Sequence, residues 1–137
     1  MPYGAGAGNN KNTTSPQAGR ERKRAFWRKC MSIPKEIIVL FSTAPQDKSA
    51  SIARMLIDQR VVACVNVVPV RSYYRWKGEF CDDAEDLLIM KTTKEKAGEV
   101  IAAIKTHHPY ELPEIIALPV IDGHPPYLEW VDQETQR

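Results

Sequence analysis

The sequence predicts an α+β fold of the ferredoxin-like, split βαβ kind. Three observations predict it. Apolar β-branched runs alternate with amphipathic stretches in the order β-α-β-β-α-β, followed by a terminal helix. The two middle runs are joined by a two-residue turn, Lys77-Gly78, so they form one hairpin. The chain has 137 residues, 43% of them hydrophobic, which is one domain's worth with enough apolar side chains for a core.

Each element has its own signal. "KEIIVLFS" (35–42) is a short apolar run typical of a buried strand, broken by "TAPQDK", where Pro45 punctuates and Asp47 is placed as an N-cap. "SASIARMLIDQR" then sets Ile52, Ala53, Met55 and Leu56 on one side of an amphipathic helix. "VVACVNVVPVRSYYRW" (61–76) is strand-like for about three times the ordinary 5 to 6 residues, with Pro69 marking a bulge or an edge. "EFCDDAEDLLIMKTT" returns from the turn. A hairpin this long must bend or project, and a projecting ribbon needs other copies of itself to pack against.

Thr92 and Glu95 have capping-box spacing. The helix they open carries Ala97, Val100, Ile101 and Ile104 inward and stops at His107-His108-Pro109, since the residue before proline is pushed out of the helical region. "PEIIALPVI" is the last strand. "HPPYLEWVDQ" closes the chain as a short helix anchored by Tyr127, Leu128 and Trp130.

Residues 1–33 differ in kind. They open on Gly, Ala, Asn, Thr and Ser, and seven Lys and Arg residues precede position 30 against Glu21 alone, whereas acidic residues outnumber basic ones from Ser32 onward. The net charge of +2 therefore belongs to a basic extension expected to be disordered, and residues 34–137 form the domain. The Arg-rich end also fits an organelle-targeting segment or a nucleic-acid patch, and Met31 offers an alternative start. The first thirty residues lack the apolar centre of a secretory signal, and no apolar run approaches a membrane span. The chain reads as soluble and cytoplasmic, organellar being the alternative. Cys30, Cys64 and Cys81 form no paired metal pattern, which fits a reducing compartment, and Cys64 is placed as a small buried hydrophobe.

No Gly-rich phosphate loop, H-E-x-x-H or G-x-S-x-G motif is present, so the chain is read as non-enzymatic. Arg71, Tyr73, Tyr74, Arg75 and Trp76 invite comparison with RNA-binding sheets. The Lys77-Gly78 turn, however, sets Tyr73 opposite Asp82, diagonal to both arginines, so these cations are neutralised within their own sheet. The domain is not expected to bind nucleic acid.

The segments "STAP", "ACVNVVP", "SYYRWKGE", "LLIMKTT", "HHPYELPEIIALPV" and "YLEW", in this order over residues 35–131, resemble the CutA divalent-cation-tolerance family. The resemblance implies a stable homotrimer of ferredoxin-like subunits, similar to PII signalling proteins, whose long hairpins pair between subunits. It implies an association with copper and divalent-cation tolerance, with anchoring of a protein partner in animal relatives. It further implies a metal site at His107 and His108, with Cu(II) or another divalent cation bound weakly. Ser42 stands where some bacterial members place a copper-ligating cysteine, and an alcohol is a poor ligand for Cu(I). By residue chemistry alone the histidine pair reads first as a helix terminus, and a weak divalent-metal site is the second reading. The family motifs also suggest a small-ligand pocket between subunits, made of Tyr74, Trp76, Glu79, Lys91, His108, Tyr110, Glu111 and Glu114. Two alternatives accompany the metal-response reading: a PII-like ligand-sensing regulator and a protein-anchoring scaffold.

Overall fold

The computed structural model describes residues 19–20 and 35–136. The chain divides into two units, Met1–Pro34 and Lys35–Arg137. The basic extension and the targeting or alternative-start readings attached to it lie outside the described residues, apart from Gly19 and Arg20.

The second unit holds strands β1 (Ile37–Ala44), β2 (Cys64–Trp76), β3 (Glu79–Thr93) and β4 (Ile115–Pro119), with helices α1 (Ser49–Asp58), α2 (Ala97–His107) and α3 (Pro125–Glu134). The sheet order is β2-β3-β1-β4 and every neighbouring pair is antiparallel, which is the ferredoxin-like arrangement expected.

Alternation decides which side of the sheet is filled. Ile38, Leu40 and Ala44 of β1 and Leu88 and Met90 of β3 point to one face. There they meet Ile52 and Leu56 of α1 and Val100 and Ile104 of α2, all at most 5% exposed. Met55, Ala53, Ala97 and Ile101 pack around this centre, so both helical stripes read from the sequence are the ones used. Val61 and Val62, expected to begin β2, instead plug the core from the α1–β2 connection. That connection leaves the helix through Arg60 at φ 57°, a left-handed exit.

Three local expectations are corrected. Asp47 does not cap α1, whose N-cap position is Lys48 without any side-chain bond. Thr92 does not cap the turn of 3-10 helix at Lys94–Lys96; it lies in β3, fully buried, and its hydroxyl donates to the Val61 carbonyl at 2.6 Å. A buried carbonyl must find a donor, and Thr92 is the donor in reach. Tyr127, Leu128 and Trp130 are only half-buried; Val131 and Asp132 are the residues of α3 that bury. Lys35 Nζ stands 3.2 Å from Asp132 Oδ1 and ties α3 to the chain entering β1.

The hairpin runs in unbroken register from Cys64↔Lys91 to Trp76↔Glu79, so Pro69 marks an edge strand and no bulge. Lys77 and Gly78, at φ 50° and 82°, make the turn. Two positive φ values in a two-residue loop give the twist that matches the strands. Thirteen residues of β2 extend for about 43 Å at ~3.3 Å each. Since β1 reaches only Asp86 of β3, residues 79–85 and their partners 70–76 project beyond the sheet.

The buried Thr92–Val61 bond is testable. Thr92→Val keeps shape and removes the donor, so it is expected to lower stability by about 1–2 kcal/mol in urea titration. An unchanged midpoint would show that the Val61 carbonyl does not depend on Thr92.

Candidate functional site

The projecting part of the hairpin and the segment between α2 and β4 enclose a cleft of about 590 Å³. Its sheet wall is set by alternation. Ser72, Tyr74 and Trp76 of β2 and Glu85 of β3 share one face, continuous with Thr43 of β1. Its other wall is Pro109 through Leu112 together with Glu114. The cleft thus gathers five of the expected pocket residues: Tyr74, Trp76, Tyr110, Glu111 and Glu114.

His108 stands behind them. Proline at position 109 forces it out of the helix, to φ −82° and ψ 135°. Its Nε2 donates to the Thr43 carbonyl at 2.7 Å, and its Nδ1 accepts the Tyr110 backbone N–H at 3.1 Å. A carbonyl only accepts and an amide N–H only donates, so the two bonds fix the Nε2–H tautomer. Its ring also lies 4.7 Å from that of Tyr110. The side chain, 9% exposed, therefore splices the end of β1 to the loop that walls the cleft.

His107 differs. It is exposed, and its Nδ1 donates back to the Ala103 carbonyl at 2.8 Å, which leaves Nε2 facing water. The two imidazoles do not converge on one point by their hydrogen bonds. Ser42 is buried on the helix-covered face, with no hydrogen-bond partner for its hydroxyl. Among the described residues there is no cluster of three His, Cys, Asp or Glu able to hold a metal ion.

Two expected pocket residues stand outside the cleft lining. Glu79 is exposed at the hairpin tip opposite Trp76. Lys91 points to the open face of the sheet, bonded to the Asn66 side-chain oxygen and, at 3.3 Å, to the Ile89 carbonyl. Cys64, its partner across the ladder, is half-buried at the start of β2 with its thiol 3.9 Å from Asn66 Oδ1, so it is not the buried core residue expected.

Glu85 is the residue the sequence reading missed. It is 3% exposed, although it belongs to the acidic run "CDDAED", which reads as solvated. Its carboxylate accepts the Tyr110 hydroxyl at 3.0 Å. Counting register from the Lys77-Gly78 turn was the available signal, because it sets Glu85 on the face of Tyr74 and Trp76. Burial, then the bond to Glu85, pushes the Tyr110 phenol up to about 12. Tyr74 donates to Asp83, and that bond raises its pKa further still. Both rings therefore stay neutral phenols, held by carboxylates. On the other face Arg71 forks onto Asp82 at 2.7 and 3.0 Å, the pairing expected from the register for one of the two arginines. That bond holds the Asp82 carboxyl below its usual range.

This geometry defines a small α+β protein of the ferredoxin-like class, with a projecting hairpin and an aromatic-acidic cleft at its root. The family profile described as "CutA1 divalent ion tolerance protein" matches residues 37–134, and the chain belongs to this family. It is 42% identical over 106 residues to Protein CutA of Mus musculus, covering 76% of this chain and 60% of that relative. It is 39% identical over 101 residues to "Protein CutA 1, chloroplastic" of Oryza sativa, covering 72% of this chain and 57% of that one. The chain thus spans about three fifths of the length of these two relatives. Among solved structures it matches the PII-like protein CutA from Nostoc sp. PCC 7120, with TM-score 0.70 and 37% identity, over 72% of this chain and 97% of that one.

Tyr110 carries an alkaline signature. The folded state holds its pKa above the ordinary value near 10, so the unfolded chain ionises first. The resulting stability is fully present below pH 10 and is lost as pH rises from about 10 toward about 12. Tyr110→Phe is expected to flatten that loss in denaturation curves taken across this window. A variant as steep as the parent would place the alkaline sensitivity elsewhere.

Proposed function

We propose that this chain acts as a non-enzymatic homotrimer in the response to divalent cations. The observation that carries the proposal is the unpartnered hairpin. The outer edge of β2 has no neighbouring strand among the described residues, and half of the ribbon extends past the sheet. Beside it lies an apolar open face. Ile116 and Leu118 of β4 are 50% and 40% exposed and share that face with Val39 and Phe41, while Val68 is 42% exposed across from Leu87. Ribbons and apolar faces of this kind are stable when other copies cover them. No helix among the described residues is long and apolar enough to cross a membrane. The cytoplasm is the compartment proposed, with an organelle as the alternative suggested by the name of the rice relative.

Metal binding in this proposal is weak and uses Cu(II), which accepts nitrogen donors. His107 supplies the imidazole, because its Nε2 is free toward water whereas both nitrogens of His108 are engaged. A second reading is a PII-like regulator in which the cleft takes a small organic ligand. Its volume of about 590 Å³ and its mixed aromatic and polar walls favour it. A protein-anchoring scaffold remains the third alternative, distinguished by tight partner binding without any ligand.

Two measurements test the main reading. Sedimentation equilibrium is expected to give three subunits at low micromolar concentration, and Ile116→Lys with Leu118→Lys to give monomers that remain folded. A parent that sediments as a monomer would defeat the proposal. Titration with Cu(II) is expected to lose its signal in His107→Ala and to keep it in His108→Asn. Loss of binding in His108→Asn alone would shift the ligand to the inner histidine.

A further inference from the structure

We propose that the cleft selects an organic ammonium ion, an alkylamine in its protonated form; this rests on the small-ligand reading of the cleft given above. The first observation is the composition of its walls. Tyr74, Trp76 and Tyr110 present three aromatic rings, and Glu85, Glu111 and Glu114 present three carboxylates, with no Lys, Arg or His among the lining residues. Tyr73 also borders the cleft, but its ring lies against Phe80 on the opposite face of the ribbon. Aromatic faces attract cations through their quadrupole, and the attraction grows as the site is desolvated. An anionic ligand would meet three carboxylates, of which only Glu111 has a cation beside it, Lys77 at the rim.

The second observation comes from Lys77. Its Nζ sits 5.5 Å from the Trp76 ring centroid and 3.4 Å from Glu111 Oε2. The chain's own primary ammonium is therefore held at the rim between an aromatic and a carboxylate that both belong to the cleft. It shows which ligand chemistry these walls complement. It also makes Lys77 an internal competitor, tethered at the hairpin turn.

Glu85 supplies the third. It is 3% exposed, and among the described residues it forms no ion pair; its bond comes from the neutral Tyr110 phenol. A buried carboxylate is costly unless a cation or several donors answer it. An alkylammonium entering past Trp76 brings three N–H donors and a positive charge to this wall. A bare metal ion fits less well, because rings do not ligate hard cations and the space is that of an organic molecule.

The hairpin turn allows a clean test. Lys77→Asn removes the ammonium while giving Asn-Gly, the pair best suited to two positive φ values, so the hairpin keeps its register. Calorimetric titration of the full chain with 1,4-diaminobutane at low ionic strength is expected to saturate. Lys77→Asn is expected to tighten binding by about three- to tenfold, the scale of an exposed ion pair with a cation–π contact. Trp76→Leu and Glu114→Gln are each expected to weaken it by about fivefold or more. Glu114 is exposed, so Glu114→Gln tests a cleft carboxylate without disturbing the buried Glu85–Tyr110 bond. Unchanged diamine affinity in both Trp76→Leu and Glu114→Gln would overturn the proposal, as would an absence of saturation in parent and Lys77→Asn alike. ATP serves as the anionic comparison. Saturation by ATP without saturation by the diamine would overturn the ammonium inference and leave the small-ligand reading standing. Saturation by neither would remove both.

Discussion

The continuous ladder between β2 and β3 is the constraint on which the rest of the structure depends. Thirteen residue pairs follow one another without a bulge, and their register is set at the Lys77-Gly78 turn. Because side chains alternate with a period of two, a slip by one residue would move Leu88 and Met90 out of the core and Glu85 out of the cleft. The same ladder therefore places the apolar set against α1 and α2 near its base and the aromatic-acidic set near its far end. Core and cleft are two stretches of one register.

The far end is held by different forces from the base. Near the base, three strands and two helices bury side chains that are fully excluded from water. Beyond Asp86 only two strands remain, and the contacts are polar or exposed. Arg71 forks onto Asp82 on one face, Tyr73 and Phe80 set their rings 6.2 Å apart, and Tyr74 donates to Asp83 on the other face. A two-stranded ribbon gains little from such contacts by itself. The loop after α2 adds the third support, through Tyr110 on Glu85 and Lys77 on Glu111. His108 anchors that loop to Thr43, so the histidine that terminates a helix also braces the ribbon at its root.

What was legible in the sequence follows from the range of each interaction. The hairpin, both helical stripes and the stop before Pro109 are written in neighbouring residues, and each lies where its pattern puts it. Thr92 misleads because the spacing to Glu95 is local, whereas the carbonyl that claims its hydroxyl belongs to Val61, 31 residues earlier. Asp47 has the chemistry of a cap, yet α1 begins without any side-chain bond at its end. Glu79, Glu85 and Lys91 all lie on β3 on one side of the ladder, and only Glu85 lies where the loop from α2 closes over it. Composition cannot distinguish the three; the crossing of a distant loop does.

The histidine pair shows the same division at the level of single atoms. The residues are adjacent, but one closes a helix turn and the other begins an extended segment, and their rings are claimed by different carbonyls. An imidazole offers a metal only the nitrogen that carries a lone pair. In His107 that nitrogen faces solvent; in His108 it accepts the Tyr110 amide, which keeps the cleft wall in place. A metal drawn to His108 would have to displace that amide and loosen the wall, whereas a metal on His107 would leave the cleft intact. Cation binding at the outer histidine and ligand binding in the cleft are thus compatible, and they compete only if the inner ring is recruited.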